Sequence, residues 1–355
     1  MQYRFLIYIS YSYAVPIGIP LEKELQKRGY AVHWFCDEKD TRIALPSTSL
    51  RFDTIEEVID YDPDIILTIT DVVPDFLRGL KVQVFHGFNA EKRSFRKDHF
   101  RIRGLFDLYC TQGPSTTSVF KEQQKKHPHF EVIETGWSKV DPLFPISEKK
   151  INETPTVFIA STFTERLSLA MNQEVFESIQ SLLATKKYVF DMVLHPKLPS
   201  YIKEKWGSLT SSHFTYHNTT DLVPLMKKAS IMFSDTTSAI QEFGLQEKPI
   251  VTFNHHIPKP HLINITSVSE IENALDTALT FPPAILEKMA TFNQQLHPYK
   301  DGASSARVID ACISFLHADK SHLQSKPLNL VRKYQIRKKL GYFTLRSYNT
   351  AFTKS

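Results

Sequence analysis

The 355-residue sequence predicts an α/β protein made of two Rossmann-like halves, each a largely parallel sheet flanked by helices. Three observations predict it. Short apolar runs alternate with helical stretches along the chain. The alternation halts in a stretch rich in Pro, turn formers and charge (135–155), which suits an interdomain linker. It then restarts with a new strand. The length fits two domains, each able to bury its own core, and 42% hydrophobic with 23% charged residues argues against a disordered chain.

In the first half the strands are RFLIYIS (4–10), YAVHWF (30–35), DIILTIT (64–70), KVQVF (81–85), FDLYCT (106–111) and FEVIET (130–135). Unbroken apolar runs of this length suit strands covered on both faces. Pro20 suits the first turn of a helix that Gly29 ends, with Glu24 and Arg28 as an i,i+4 pair. Asp53 with Glu56 resembles a capping box for TIEEVID. The second half repeats the architecture with TVFIAST (156–162), YVFDMVLHP (188–196), HFTYH (213–217), SIMFSD (230–235) and PIVTF (249–253). Helices are expected at NQEVFESIQSLLA, SAIQEFGLQ, 268–279, 283–296 and from Ala303 onward. The expected division is 1–145, 146–315 and a basic tail, 316–355.

Charge is unevenly placed. Residues 326–355 hold eight Lys and Arg and no Asp or Glu, so of the overall +5 the tail carries +8 and the rest sums to −3. The tail interleaves these cations with Leu330, Tyr334, Ile336, Leu340, Tyr342 and Phe343, which suits an anionic membrane surface, with nucleic acid as the alternative. Cys36, Cys110 and Cys312 form no CxxC pair and read as reduced structural thiols. No secretory signal is visible, and no run approaches the ~20 apolar residues that span a bilayer. The expectation is a cytoplasmic protein, peripheral on the inner face of the membrane if the tail binds there.

Open parallel sheets bind ligands beyond the carboxyl ends of their strands, so chemistry is sought just after each strand. His86-Gly87 follows KVQVF directly; an imidazole with an ordinary pKa near ~6.5 suits removal of a hydroxyl proton. A hydrogen-bonded structural histidine is the simpler reading of His86 taken alone. Lys92, Arg93, Arg96, Lys97, Arg101 and Arg103 follow it, as an anion site or a solvated basic face. In Gly113-Pro114-Ser115 the serine reads as a helix cap. His195 ends YVFDMVLHP and could donate to a phosphate oxygen, or simply pack there. Ser234-Asp235-Thr236-Thr237-Ser238 runs from a strand through a hydroxyl-rich turn into a helix, where free N–H groups favour an anion. Glu242 follows one helical turn after Ser238 and could accept from ribose or polyol hydroxyls; an ordinary cap with a solvent-facing Glu is the plain alternative. His297 to Arg307 forms a turn into a helix, with Arg307 able to reach a phosphate. His255, His256 and His261 lack metal-ligand spacing, and the absence of GxGxxG or GxxxxGK[ST] disfavours dinucleotide and P-loop sites. Neither metal nor cofactor is expected.

Taken in order, HGFNAEKR, GPS, TGWSKVDPL, LHP, SDTTSAIQEFGLQEKPIV and HPYKDGASSARV resemble the CDP-glycerol glycerophosphotransferase family, from about Val82 to Val308. The resemblance implies a glycosyltransferase-B fold, with two Rossmann-like domains facing across a cleft. It also implies transfer of glycerol phosphate from CDP-glycerol to a hydroxyl of a lipid-linked or polymeric cell-envelope acceptor, with release of CMP. It makes His86 the general base and His195 a contact of the donor pyrophosphate. Ser234, Asp235, Thr237 and Ser238 match the family's segment beside the donor phosphates; the reading of the residues themselves adds Thr236 and Arg307 to the phosphates and Glu242 to the donor ribose or polyol. ThrThrSer replaces the family's TyrSerSer, and Glu242 stands where Asp is usual. The late motifs also resemble non-hydrolysing UDP-N-acetylglucosamine 2-epimerases, although Thr237 and Ser238 occupy their paired-glycine positions. The alternatives are therefore a nucleotide-sugar glycosyltransferase, such an isomerase, or a non-catalytic nucleotide-sugar binding module.

Overall fold

The computed structural model describes residues 2–88, 99–146 and 154–354, so Lys92, Arg93, Arg96 and Lys97 lie outside the described residues. The chain divides into two compact units: residues 1–142 with 295–355, and residues 143–294.

The first unit opens with β1 (Arg4–Ile9), α1 (Val15–Lys27), β2 (Ala31–Cys36), β3 (Arg51–Phe52), α2 (Ile55–Tyr61) and β4 (Ile65–Thr68). It continues with β5 (Leu80–Val84), β6 (Leu108–Thr111), α3 (Pro114–Lys126) and β7 (Glu131–Glu134). The seven strands form one sheet in the order β3-β2-β1-β4-β5-β6-β7, every pair parallel. β4, β5 and β6 are buried at every residue, which is why the sequence shows them as unbroken apolar runs.

Local details depart from the sequence reading in two places. α1 starts at Val15, with Pro16 in its first turn and Pro20 inside it, because the buried stripe Val15, Gly18, Leu21 and Leu25 extends upstream of Pro20. The box that opens α2 is Thr54 with Glu57: the Glu57 carboxylate accepts from the Thr54 and Asp53 amides at 3.0 and 2.8 Å, and Thr54 Oγ1 accepts from Glu57 N at 3.3 Å.

The second unit comprises β8 (Thr156–Ser161), α4 (Gln173–Thr185), β9 (Val189–Leu194), α5 (Ser200–Gly207), β10 (Phe214–His217) and α6 (Val223–Lys228). β11 (Ile231–Ser234), α7 (Ala239–Gly244), β12 (Ile250–Phe253), β13 (Ile263–Ile265), α8 (Ile271–Leu279) and α9 (Pro283–Leu296) complete the run. Its sheet is parallel throughout, in the order β10-β9-β8-β11-β12-β13. β3 and β13, both at sheet edges, are two and three residues long, too short to leave a periodic signal in the sequence.

The chain then returns to the first unit as α10 (Ser304–His317) and α11 (Leu330–Leu340). The expected boundary at 315 thus falls too late, since residues 295–315 pack with the first sheet. α10 lies beside α1, where Arg28 bonds the Ala306 carbonyl and pairs with Asp310. An amphipathic helix carries no label for the sheet that it covers, so sequence adjacency alone assigned it wrongly.

The tail is a folded strap. Lys326 pairs with buried Asp107, Lys339 lies 3.0 and 2.8 Å from Asp37 and Glu38, and Lys354 lies 2.8 Å from Asp64. Arg332 Nη1 donates to the Arg103 carbonyl at 2.5 Å. Arg337 donates to both oxygens of Asp75 at 2.6 and 3.0 Å, with Lys333 Nζ 3.7 Å from the same carboxylate. Burial alone would raise the Asp75 carboxyl, but hydrogen bonds from Arg337 and Ser347 and the charges of Arg337 and Lys333 outweigh it and hold it below the ordinary range. The strap seats tightly: Gly104, at φ +68°, would put a Cβ 2.5 Å from the Pro327 ring. Most of the tail's cations therefore neutralise carboxylates of this same unit. Beside exposed Lys338, Lys339 and Arg346, the tail exposes the apolar side chains of Leu328, Leu330, Val331, Tyr334, Phe343 and Leu345.

Arg337→Ala leaves Asp75 buried without its two-pronged partner, and the expected loss of stability is about 3 kcal/mol. The urea midpoint of the purified protein measures it, and a loss below about 1 kcal/mol would show that other contacts hold the strap.

Candidate functional site

In each sheet the parallel strands release their next residues at one common edge, and the sequence-predicted histidines and hydroxyls lie on those edges.

In the first unit, β5 delivers Phe85, His86 and Gly87. The carbonyls on either side of His86 are fixed: the Trp137 indole N–H donates to Phe85 O at 2.6 Å, and the Gln112 side-chain amide donates to Gly87 O at 3.0 Å. Gln112 follows β6 and Trp137 follows β7, so two neighbouring strand ends hold the His86 backbone. Its ring is exposed, 5.9 Å from that of Tyr13. Trp137 is positioned in turn by His297, whose Nε2 accepts from Trp137 N at 3.0 Å. Burial pushes the His297 imidazole down to about 4, so it is neutral at pH 7 and carries its proton on Nδ1. Gly136, at φ +81°, lets this corner close: a Cβ there would lie 2.4 Å from Ser304 Oγ. The half-buried His99 ring lies 4.4 Å from that of Phe85, and burial first, with the His86 and Arg103 charges next, pushes it down to about 3.

Arg307, expected at a donor phosphate, belongs to the first unit and residues 234–238 to the second. Its guanidinium donates to both Asp301 oxygens at 2.8 and 3.1 Å and to Thr135 O at 2.9 Å, and stacks 3.9 Å from the Tyr299 ring centre. The hydrogen bond from Arg307 holds the Asp301 carboxyl at about 2. The start of α10 is filled as well. Asp141 accepts from the Ser304 and Ser305 amides at 2.8 and 2.7 Å and from Ser305 Oγ at 2.6 Å, although burial still raises its carboxyl above the ordinary value. In α3 the cap is Gly113 with Thr116, and Ser115 is an exposed first-turn residue.

In the second unit, the ends of β9, β8, β11 and β12 lie side by side, carrying His195, Thr162-Phe163, Asp235 to Ser238, and His255-His256. Asp235 is wholly buried and accepts from Ser161 Oγ at 2.6 Å, Thr162 N at 3.0 and 3.1 Å, and Leu169 N at 3.0 Å. It ties the β11 turn to the β8 loop, and its carboxylate faces donors of the protein rather than a phosphate. Ser234 Oγ donates to Ala160 O at 2.6 Å, so it too is a sheet contact. Thr236 Oγ1 accepts from His256 N at 2.9 Å. Thr237 and Ser238 remain half-buried at the edge, and Ser238 makes no side-chain cap to the six-residue α7. Glu242 is buried within α7, not solvent-facing.

His195 Nδ1 accepts from Lys197 N at 3.1 Å, which puts the proton of the neutral ring on Nε2 and makes that atom a donor. Its ring lies 4.5 Å from Phe163, an exposed aromatic that the sequence reading passed over. His261 is buried against Phe292 and is pushed down to about 4 by burial. Among the described residues no three His, Cys, Asp or Glu side chains gather as a metal site, and no helix is long and apolar enough to cross a membrane.

Two parallel Rossmann-like sheets in this succession define a glycosyltransferase-B-like fold. Among solved structures the chain is similar to the wall teichoic acid polymerase TagF, with 13% identity over 88% of each chain and a TM-score of 0.64. It is also similar to a UDP-GlcNAc 2-epimerase from Neisseria meningitidis bound to UDP-GlcNAc: 14% identity, 88% of this chain, 100% of that chain, TM-score 0.59. The S. aureus MnaA–UDP co-structure matches at 14% identity over 92% and 99% of the two chains, with a TM-score of 0.61. At these identities the likeness is one of fold. No protein-family model and no curated protein sequence matches the chain.

Asp235→Ala strips the acceptor from three buried donors, at roughly 1 kcal/mol or more each. The expected loss is about 3 kcal/mol in a urea titration, with Asp235→Asn intermediate; a neutral Asp235→Ala would remove the clamp assignment.

Proposed function

We propose that the protein is a transferase that moves glycerol phosphate, or a related polyol phosphate, from a CDP-activated donor to a hydroxyl of a cell-envelope glycan or lipid-linked acceptor. The observation that carries this reading is the edge of the second sheet. There the half-buried Thr237 and Ser238 hydroxyls sit on a turn clamped by Asp235, on the same edge as the Nε2–H donor of His195. Preorganised donors of this kind stabilise the charge of a leaving phosphate without reorganisation. The ordered motifs support the polyol-phosphate donor. In this reading the hydroxyl proton of the acceptor passes to His86 as its oxygen attacks the donor phosphorus, and the bond to the CMP oxygen breaks, CMP leaving with the electron pair. Thr236, Thr237, Ser238 and His195 face the donor phosphates; Ser234, Asp235 and Glu242 hold the frame behind them.

In a thermal-shift panel, CDP-glycerol is expected to raise the melting temperature more than UDP- or CMP-sugars. His86→Ala is expected to keep that shift and lose ~10²–10⁴-fold in CMP release. Near-wild-type turnover would remove the base. The likeness in fold to UDP-GlcNAc 2-epimerases supports a second reading, a nucleotide-sugar isomerase. Conversion of UDP-N-acetylglucosamine with no acceptor present would establish it and overturn the transferase.

The tail's contact with an anionic membrane is part of the same proposal, through the exposed Leu328, Leu330, Val331, Tyr334, Phe343 and Leu345 beside Lys338 and Arg346, which make no ion pair among the described residues. Leu330→Asp with Phe343→Asp leaves every tail ion pair intact. It is expected to abolish flotation with vesicles containing phosphatidylglycerol, and unchanged flotation would refute the contact.

A further inference from the structure

The first sheet reverses its strand order at β1. The chain steps from β1 to β2 and β3 on one side, then returns to β4 on the other. A crevice opens beyond the carboxyl ends of the strands at such a switch point. The loop that leaves β1 there carries Tyr11 and Tyr13, which are 51% and 46% exposed. Their rings stack with centres 5.4 Å apart and planes 22° from parallel, and Tyr13 lies 5.9 Å from the His86 ring. The loop is held in place: Thr41 Oγ1 donates to Ser10 O at 2.7 Å, and Ala14 N donates to Tyr11 O at 3.0 Å. Large aromatic side chains left at the surface on a fixed loop, next to a histidine, mark a binding surface more than a packing accident.

We propose that Tyr11 and Tyr13 form a platform for a pyranose ring, which presents one of its hydroxyls to His86. The inference rests on the transferase reading for the role of that ring as acceptor, and names the acceptor as a sugar. The chemistry selects it. An aromatic face carries negative charge density and attracts the weakly positive C–H groups of a flat apolar face. A pyranose has such a face and a rim of hydroxyls. Glycerol and ribitol have no face to stack. A lipid chain would need a trough of aliphatic side chains, whereas this loop offers Tyr11, Ser12 and Tyr13 beside His86. The acceptor oxygen then forms the new bond to the phosphorus of the nucleotide-activated donor, its proton passes to His86, and the nucleotide departs with the electron pair of the broken bond. Tyr11 and Tyr13 bind and orient; they take no proton.

The test is saturation-transfer NMR on the full chain without nucleotide, using methyl pyranosides of glucose, galactose, mannose, N-acetylglucosamine and N-acetylmannosamine, with glycerol and ribitol for comparison. At least one pyranoside is expected to receive saturation on the C–H protons of one face, and the two polyols none. The double variant Tyr11→Ala/Tyr13→Ala is expected to weaken that binding about tenfold, and Tyr11→Phe/Tyr13→Phe to keep it within about twofold. Both positions are exposed, so circular dichroism should show unchanged folding. No transfer to any pyranoside, or equal binding by the alanine variant, overturns the platform. Nucleotide is absent, so the two failures separate. Sugar binding without a CDP-glycerol thermal shift leaves the platform and removes the transferase, and the reverse result removes the platform alone.

Discussion

A carboxylate taken wholly out of water must be surrounded by donors or give up its charge, and the second unit is organised around one that is surrounded. Asp235 lies at the end of β11, where the chain must turn, and gathers Ser161, Thr162 and Leu169 from the loop after β8. The two strands are neighbours, so this one side chain joins the two loops at the point where the strand order reverses. With Asp235 fixed, the next residues have little choice of path. Thr236 is pinned by His256, and Thr237 and Ser238 are left at the edge. The carboxylate thus fixes the path of the turn that carries those two hydroxyls.

The first unit applies the same rule with other residues. Asp141 fills the start of α10, and Arg307 closes on Asp301, Thr135 and Tyr299. Asp75, Asp107 and Asp64 face the first sheet's own strap, where Arg337, Lys326 and Lys354 meet them. A net charge of +8 over thirty residues reads as a device for an external anion. Most of it answers internal carboxylates, and the exposed remainder of the strap is more apolar than basic.

That difference marks what a single sequence discloses. The sheets were legible because a strand covered on both faces writes an unbroken apolar run, as KVQVF and TVFIAST do. The positions of His86, His195 and the hydroxyl turn followed, since a strand end is a place in the sequence as well as in the fold. The partners of charged groups were not legible. Asp141 and Ser304 are 163 positions apart, and Arg337 and Asp75 are 262 apart. Nothing local in either segment states that they meet. Arg307 and the tail were therefore read as open to ligands, and α10 was given to the wrong sheet. Glu242 was read as reaching out of α7 because its spacing from Ser238 fits one face, but the helix is short and that face is buried. Trp137 entered only as a letter of the TGW motif, and Gln112 went unremarked, for a related reason: their hold on the His86 backbone exists only once three strand ends are side by side.

The two edges share a further feature. In each unit the strand at the reversal of order, β1 or β8, is followed by exposed aromatic residues beside a histidine from another strand end: Tyr11 and Tyr13 with His86, Phe163 with His195. Sheet topology alone accounts for the place, because a crevice forms where successive crossovers part to opposite sides. It does not account for the residues, since a loop with no ligand would gain solubility from polar side chains at those positions. The histidines differ in what fixes them. His86 is held through its backbone carbonyl neighbours, with its ring exposed, whereas the His195 ring is oriented through Nδ1 and so keeps its proton on Nε2. A ring held by Nδ1 is set to donate from Nε2. The two histidines also stand at different places relative to the reversal, His86 after β5, two strands along from β1, and His195 after β9, directly beside β8; in the proposed transfer they would take different parts, one accepting the hydroxyl proton and the other donating to the leaving phosphate.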